Sequence, residues 1–165
     1  MTHSPFDDLF RATERQYTIV PHMLKALAFV ESSWNPRAYR FEPLYWERYL
    51  KNDSHWSGRD PQEVSASYGL CQLMYPTAVG IGFDGDTERL YNPAINIDLG
   101  GRYLRLLLDG VWRDKDAWYD FPISAMDVSL SRYNGGTVGN PRADGTLRNQ
   151  SYVNKVLAQW EALKA

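Results

Sequence analysis

Four stretches of this chain repeat apolar residues at helical spacing, separated by Gly, Pro, Asn and Asp. The first covers about Val20 to Trp34, through Val20, Met23, Leu24, Leu27, Val30 and Trp34. Pro21 suits its first turn, and Asn35-Pro36 ends it. The second covers about Pro93 to Leu108, through Ile95, Leu99, Tyr103 and Leu106, with Gly110 near its end. The third runs from about Ile123 to Tyr133 on Ile123, Met126, Leu130 and Tyr133, and Gly135-Gly136 stops it. The fourth runs from about Ser151 to Leu163 on Val153, Val156, Leu157 and Trp160. Shorter helical pieces are expected around Leu70–Met74 and Pro76–Val79.

No alternating run is long enough to require a strand. Residues 37–66 are polar and aromatic, carry Pro43 and Pro61, and read as a long insert with room for a small ribbon. Residues 109–122 and 135–150 read as loops. The expectation is a predominantly α chain of the α+β kind, one compact helical domain over residues 1–165 with its core at about 17–163. A length of 165 residues suits one domain with a real core.

Charge and composition exclude several function classes. The net charge is −2, so no basic field exists to collect phosphates, and nucleic acid is not expected as a primary partner. No stretch approaches a membrane span, so membrane insertion is not expected either. The first 15 residues carry acids and lack a continuous apolar run, which is not the pattern of a secretory signal. Synthesis as a soluble cytoplasmic chain follows as the expectation. Cys71 is the single cysteine, so no internal disulfide forms, and it reads as a small buried hydrophobe. His3, His22 and His55 have no zinc spacing, and Asp84-Gly85-Asp86 lacks the remaining ligands of a calcium loop. No metal or cofactor is expected. Aromatic residues make up 14% of the chain, mostly Trp and Tyr, which combine an apolar face with a polar handle and suit stacking on a sugar.

Glu31 is the anomaly. Val20, Leu24, Leu27 and Glu31 follow steps of four, three and four, which puts a carboxyl group on the core-facing stripe of the first helix. His22, Lys25 and Ser32 fall on the other faces, so polar residues were available to the solvent side. Desolvation and the negative end of the helix both disfavour the carboxylate and favour a protonated acid. A protonated carboxyl so placed can act as a general acid toward a leaving oxygen. The other reading of the same spacing is an ion pair with Arg37 or Arg102 that ties the helix down.

Five blocks in order carry a resemblance. Glu31-Ser32-Ser33-Trp34-Asn35-Pro36 looks like the E-S-x-[FW]-N-P signature of soluble lytic transglycosylases, relatives of goose-type lysozyme. Tyr68-Gly69-Leu70-Cys71-Gln72-Leu73-Met74 is similar to their G-L-M-Q-[IL]-M segment. Asn92-Pro93, Asn96-Ile97, Gly100 and Tyr103-Leu104 match the N-P-x-x-N-I-x-x-G-x-x-Y-L helix. Tyr133-Asn134-Gly135-Gly136 resembles A-Y-N-A-G, and Tyr152-Val153 with Val156 resembles the closing Y-V-x-x-V.

The resemblance implies a lysozyme-like fold with a substrate groove for peptidoglycan glycan strands. It implies cleavage of the β-1,4 bond between N-acetylmuramic acid and N-acetylglucosamine by one glutamate, Glu31, with 1,6-anhydro ends as product. Tyr133 would position Glu31 or the substrate's acetamido group. Ser65 or Ser67 would bind that group, and Gln72 and Asn134 would meet sugar hydroxyls. Tyr68 would stack on a sugar, with core packing as its alternative. Asn92, Pro93, Asn96 and Gly100 read as structural.

The insert departs from the pattern, since family members place the G-L-M-Q block much sooner after the E-S block. It contains Arg40-Phe41-Glu42-Pro43, similar to segments of phage lysins and muramidases, together with Trp46, Trp56 and Asp53. Trp46 and Trp56 would extend the groove wall or anchor a lid. Glu42 or Asp53, if in the cleft, would hold a water and turn the reaction into inverting hydrolysis, for which the carboxyl groups stand ~6.5–9.5 Å apart. Three function classes follow: lytic transglycosylase, hydrolytic muramidase, and a non-catalytic glycan-binding virion module. A phage endolysin or a lysin on a tail or injection apparatus fits a wall-degrading chain without an export signal.

Overall fold

The computed structural model describes residues 3–113 and 123–165, and these are predominantly α with one small sheet. The helices are α1 (Asp7–Gln16), α2 (Met23–Ser32), α3 (Pro43–Tyr45), α4 (Pro61–Val64), α5 (Tyr75–Gly80), α6 (Pro93–Arg113), α7 (Ala125–Gly135) and α8 (Gln150–Lys164). Strands β1 (Tyr39–Phe41), β2 (Ala66–Tyr68) and β3 (Leu73–Met74) pair antiparallel in that order. A π-helical turn at Trp46–Leu50 and 3-10 turns at Thr87–Tyr91 and Gly136–Gly139 lie between them.

α2 occupies the centre. Every residue from Met23 to Ala28 is buried, as expected of a helix with apolar character all round. Leu24 and Ala28 belong to one apolar cluster with Phe10 of α1, Tyr68 and Leu73 of the sheet and Ile97 of α6. Met23, Ala26 and Leu27 belong to a second, with Leu104, Leu130, Val153 and Val156 of α6, α7 and α8. Full burial of one such aliphatic side chain stabilises by about 1.5–3 kcal/mol, so the two clusters together fix the position of α2.

This corrects the single amphipathic stripe expected there. His22 adopts the left-handed conformation (φ 69°), so the helix begins at Met23, Pro21 precedes it, and Val20 is exposed. Lys25 does not face solvent: it is 6% exposed, and its ammonium pairs with Asp7 at 2.7 Å beside the Trp34 ring. Burial pushes the Asp7 carboxyl up, but the contacts with Lys25 and His3 outweigh it and leave the pKa lowered.

Asp7 lies on α1, a helix absent from the sequence-based expectation, whose core starts near residue 17. α1 buries only Phe10, Thr13 and Glu14, too sparse a pattern to show as an apolar repeat. Glu14 nevertheless joins it to the centre. Its carboxylate accepts N–H groups from His22 (2.9 Å), Leu24 (3.0 Å) and Lys25 (3.3 Å), donors that the start of α2 leaves without helical partners.

The expected helical piece at Leu70–Met74 is a turn leading into β3, because Gly69 (φ 73°) and Gln72 (φ 47°) both take left-handed conformations. A Cβ at Gly69 would lie 2.5 Å from Asn96 Nδ2. Asn96, 1% exposed, donates to the carbonyls of Tyr68 (2.9 Å) and Leu90 (2.8 Å) and accepts from Cys71 N–H (2.7 Å). One α6 side chain thereby holds the turn in place. Of the small ribbon for which the insert has room, one strand, β1, lies within it, and its partner β2 begins at the insert's end. The loop expected at 109–122 is helical to Arg113, and residues 114–122 lie outside the described residues.

Candidate active site

A cavity of about 540 Å³ opens between the sheet, the insert and the C-terminal ends of α2 and α7. Alternation along the strands selects its sheet wall. Arg40 pairs with Ser67, and Ser67 pairs with Met74, so these three side chains form one cross-strand row, and all three line the cavity. Tyr39, Tyr68 and Leu73 form the adjacent row. In that row Tyr68 and Leu73 are buried, and the rings of Tyr39 and Tyr68 meet edge-on at 5.5 Å.

Glu31 enters from the last turn of α2 and is partly buried. Tyr152 of α8 donates its hydroxyl to Glu31 Oε1 at 2.6 Å. Burial pushes the Glu31 carboxyl above the usual carboxylate range; the Tyr152 bond and the charge of Arg40 lower it in part, and Glu42 raises it. Neither of the two ion pairs considered from spacing forms. Arg37 pairs with Glu88 at 2.7 Å, and Arg102 faces Asp98 at 3.7 Å. The next residue secures the helix end: Ser32 Oγ lies 2.8 Å from the Leu70 carbonyl and 3.0 Å from that of Ala28.

The cavity brings together Glu31, Tyr133, Ser67, Gln72, Asn134 and Glu42 from among the residues singled out in the sequence. Tyr133 donates to the Cys71 carbonyl at 2.9 Å, so the hydrogen bond to Glu31 comes from Tyr152 instead. Gln72 spends its amide nitrogen on the carbonyls of Gly69 (3.0 Å) and Ala38 (3.2 Å). Asn134 accepts from Asn149 at 3.2 Å. Glu42 pairs with Arg40 Nε at 2.5 Å.

Ser65, Tyr68, Trp46, Trp56 and Asp53 are elsewhere. Ser65 is fully buried and donates to the Glu42 carbonyl at 2.8 Å. Tyr68 donates to the Glu63 carbonyl at 2.6 Å, with its ring against Tyr39 and Tyr91. Trp56 packs on Tyr75 and His55, and Trp46 packs on the same apolar cluster. Asp53 is exposed and accepts the His55 N–H at 2.8 Å.

Other residues of the site carried no distinct signal. Tyr45 and Tyr49 reach the cavity from the insert with rings 4.9 Å apart. Tyr103, expected as core, lines the cavity against Tyr133, with ring centroids 5.1 Å apart. The aromatic wall is thus tyrosine rather than tryptophan.

A family model described as transglycosylase SLT domain matches residues 8–152. The chain belongs to that family. The SLT match begins in α1 and ends at Tyr152, so it contains both partners of the Glu31–Tyr152 hydrogen bond. Similar curated proteins are named membrane-bound lytic murein transglycosylase C, from Actinobacillus pleuropneumoniae serotype 5b (strain L20), serotype 3 (strain JL03) and serotype 7 (strain AP76). Each is 28% identical over 139 residues, which cover 78% of this chain and 30% of the relative. The chain therefore spans under a third of the length of these relatives. Among the described residues, no helix of this SLT domain is long and apolar enough to cross a membrane.

Proposed function

We propose that this SLT domain is a peptidoglycan lytic transglycosylase, cleaving the β-1,4 bond between N-acetylmuramic acid and N-acetylglucosamine with Glu31 as acid and then base. The supporting observation is a carboxyl raised by burial in a cavity, hydrogen-bonded by Tyr152 and facing no cation at salt-bridge distance among the described residues. Protonated Glu31 gives its proton to the glycosidic oxygen, and the bond to the anomeric carbon breaks. The muramic acetamido oxygen stabilises that carbon in place of a protein carboxylate. Ionised Glu31 then takes the proton of the muramic C6 hydroxyl, whose oxygen closes the 1,6-anhydro ring. Proton and bonds balance without water.

Placement in the same cavity supports the remaining roles. Ser67 receives the acetamido group, Gln72 (through its Oε1) and Asn134 meet sugar hydroxyls, and Tyr45, Tyr49, Tyr103 and Tyr133 supply stacking faces. Hydrolysis through Glu42 is the second reading, supported by Glu42 lining the same cavity. Residues 1–165 are proposed to form one lysozyme-like domain, testable by a single unfolding transition. Delivery by a phage, at lysis or on a tail or injection apparatus, is supported by the Arg40-Phe41-Glu42-Pro43 string and is tested by zymography of purified virions.

Mass spectrometry of digested sacculi tests the reaction. Products lighter by one water than reducing ends are expected from the wild type and not from Glu31→Gln. Reducing ends whose formation requires Glu42 would establish hydrolysis instead.

A further inference from the structure

We propose that Arg40 is a carboxylate-binding specificity residue, selecting glycan whose muramic C3 substituent carries a carboxylate. The inference rests on the glycan-cleaving reading above and deepens it.

Arg40 is the one cationic side chain among the described residues lining the cavity, which also holds the carboxyl groups of Glu31 and Glu42. A guanidinium offers five N–H donors in a planar fork. Glu42 Oε1 takes Nε at 2.5 Å, and the two terminal nitrogens make no hydrogen bond to any described residue. The side chain is 57% exposed, so those nitrogens remain within reach of a ligand.

The fork is also held in place. Its backbone is fixed opposite Ser67 by the strand register. Glu42, which holds Nε, is anchored by its own N–H to the Ser65 carbonyl at 2.8 Å and by Ser65 Oγ to its carbonyl at 2.8 Å. An exposed ion pair contributes little to stability, so fold maintenance does not account for this arrangement. A pre-oriented fork with a free end matches a carboxylate, which it can bind in bidentate fashion.

Of the two alternating sugars, only the muramic residue has a C3 ether bearing a carboxyl group. That group is free as the lactyl carboxylate of a peptide-free strand. In a peptide-bearing strand it is an amide, and the carboxylates belong to the stem. Both sources present the same chemistry to Arg40, and the Glu42 carboxylate beside it would otherwise repel either one.

Calorimetric titration in a Glu31→Gln background, where ligand survives, tests the assignment. The ligands are peptide-free strands, peptide-bearing strands and a tetramer of N-acetylglucosamine, which has no carboxylate. Arg40→Gln is expected to weaken at least one muramic ligand on the order of tenfold and to leave the tetramer unchanged. Arg40→Lys, which keeps the charge without the fork, should recover only part of the loss. Loss confined to peptide-free strands identifies the lactyl group; loss confined to peptide-bearing strands identifies the stem. Equal weakening of all three ligands, or of none, overturns the assignment of Arg40 alone. Failure of the Glu31→Gln protein to bind any of them overturns the glycan reading itself.

Discussion

The Tyr152 hydroxyl meets Glu31 Oε1 at 2.6 Å, joining two residues 121 positions apart in the chain. It ties α8 to the end of α2 and opposes the effect of burial on the carboxyl. A donor to the ionised form lowers an acid's pKa, so its removal must raise it. In Tyr152→Phe the alkaline limb of the kcat/KM profile, where the acid loses its proton, is expected to move to higher pH. The maximal rate should fall about tenfold as the carboxyl loses its orientation, since a hydrogen bond to a charged group contributes roughly 1.5–3 kcal/mol. An unmoved limb would show that Tyr152 does not act on Glu31.

Glu31→Gln should lose activity and gain stability. Turnover is expected to drop by a factor on the order of a hundred or more, as for removal of a general acid. The folded-state pKa of Glu31 lies above its ordinary 4.5, so the native state binds more protons than the unfolded chain between the two values. Wild-type stability therefore declines as pH rises through that window and stays reduced above it. The variant lacks this decline. Its melting temperature at pH 7–8 should exceed the wild type's, the difference growing as pH rises through that window. The two curves should converge below pH 4.5. A variant that melts lower at neutral pH would contradict the sign.

Asn96→Ala removes three buried hydrogen bonds to backbone groups of Cys71, Tyr68 and Leu90. Each orphaned buried group costs about 1–3 kcal/mol, though relaxation and water recover part of the total. A loss of roughly 3 kcal/mol, read as a lower urea midpoint at unchanged slope, is the expected result.

Gly100 faces Cys71 closely enough that an added Cβ would lie 2.6 Å from Sγ. Gly100→Ala should destabilise by roughly 1–3 kcal/mol through overpacking. Combining it with Cys71→Ala should cost less than the two single changes summed. Additivity in that cycle, measured by urea unfolding, would locate the strain elsewhere.

The long elements were legible because their repeats are long: α6, α7 and α8 start at Pro93, Ala125 and Gln150, against expected starts near Pro93, Ile123 and Ser151. α1 was not, since its packing relies on Phe10, Thr13 and the capping carboxylate of Glu14 rather than on an apolar stripe. Glu31 stood out by position and motif. The choice between Ser65 and Ser67 stayed open because a strand of three residues is too short to display its alternation. For the same reason Tyr68, beside the motif and aromatic, reads equally as a sugar platform or as core, and the pleat turns it into the core. Arg40 lies in an insert without periodicity, so nothing separated it from an ordinary surface charge. Tyr152 was visible as a motif letter, but its partner is set by how α8 crosses α2.

The Arg40–Ser67–Met74 row gives the cavity a parity. A single-residue insertion or deletion in β1 or β2 that shifts the pairing by one would exchange the cavity-facing row for the one containing Tyr39 and Tyr68, while a shift of two would leave the same kind of face in place. The insert can therefore lengthen freely beyond the strands, as its turns and short helices do. Its permissible changes of register within them come only in even steps.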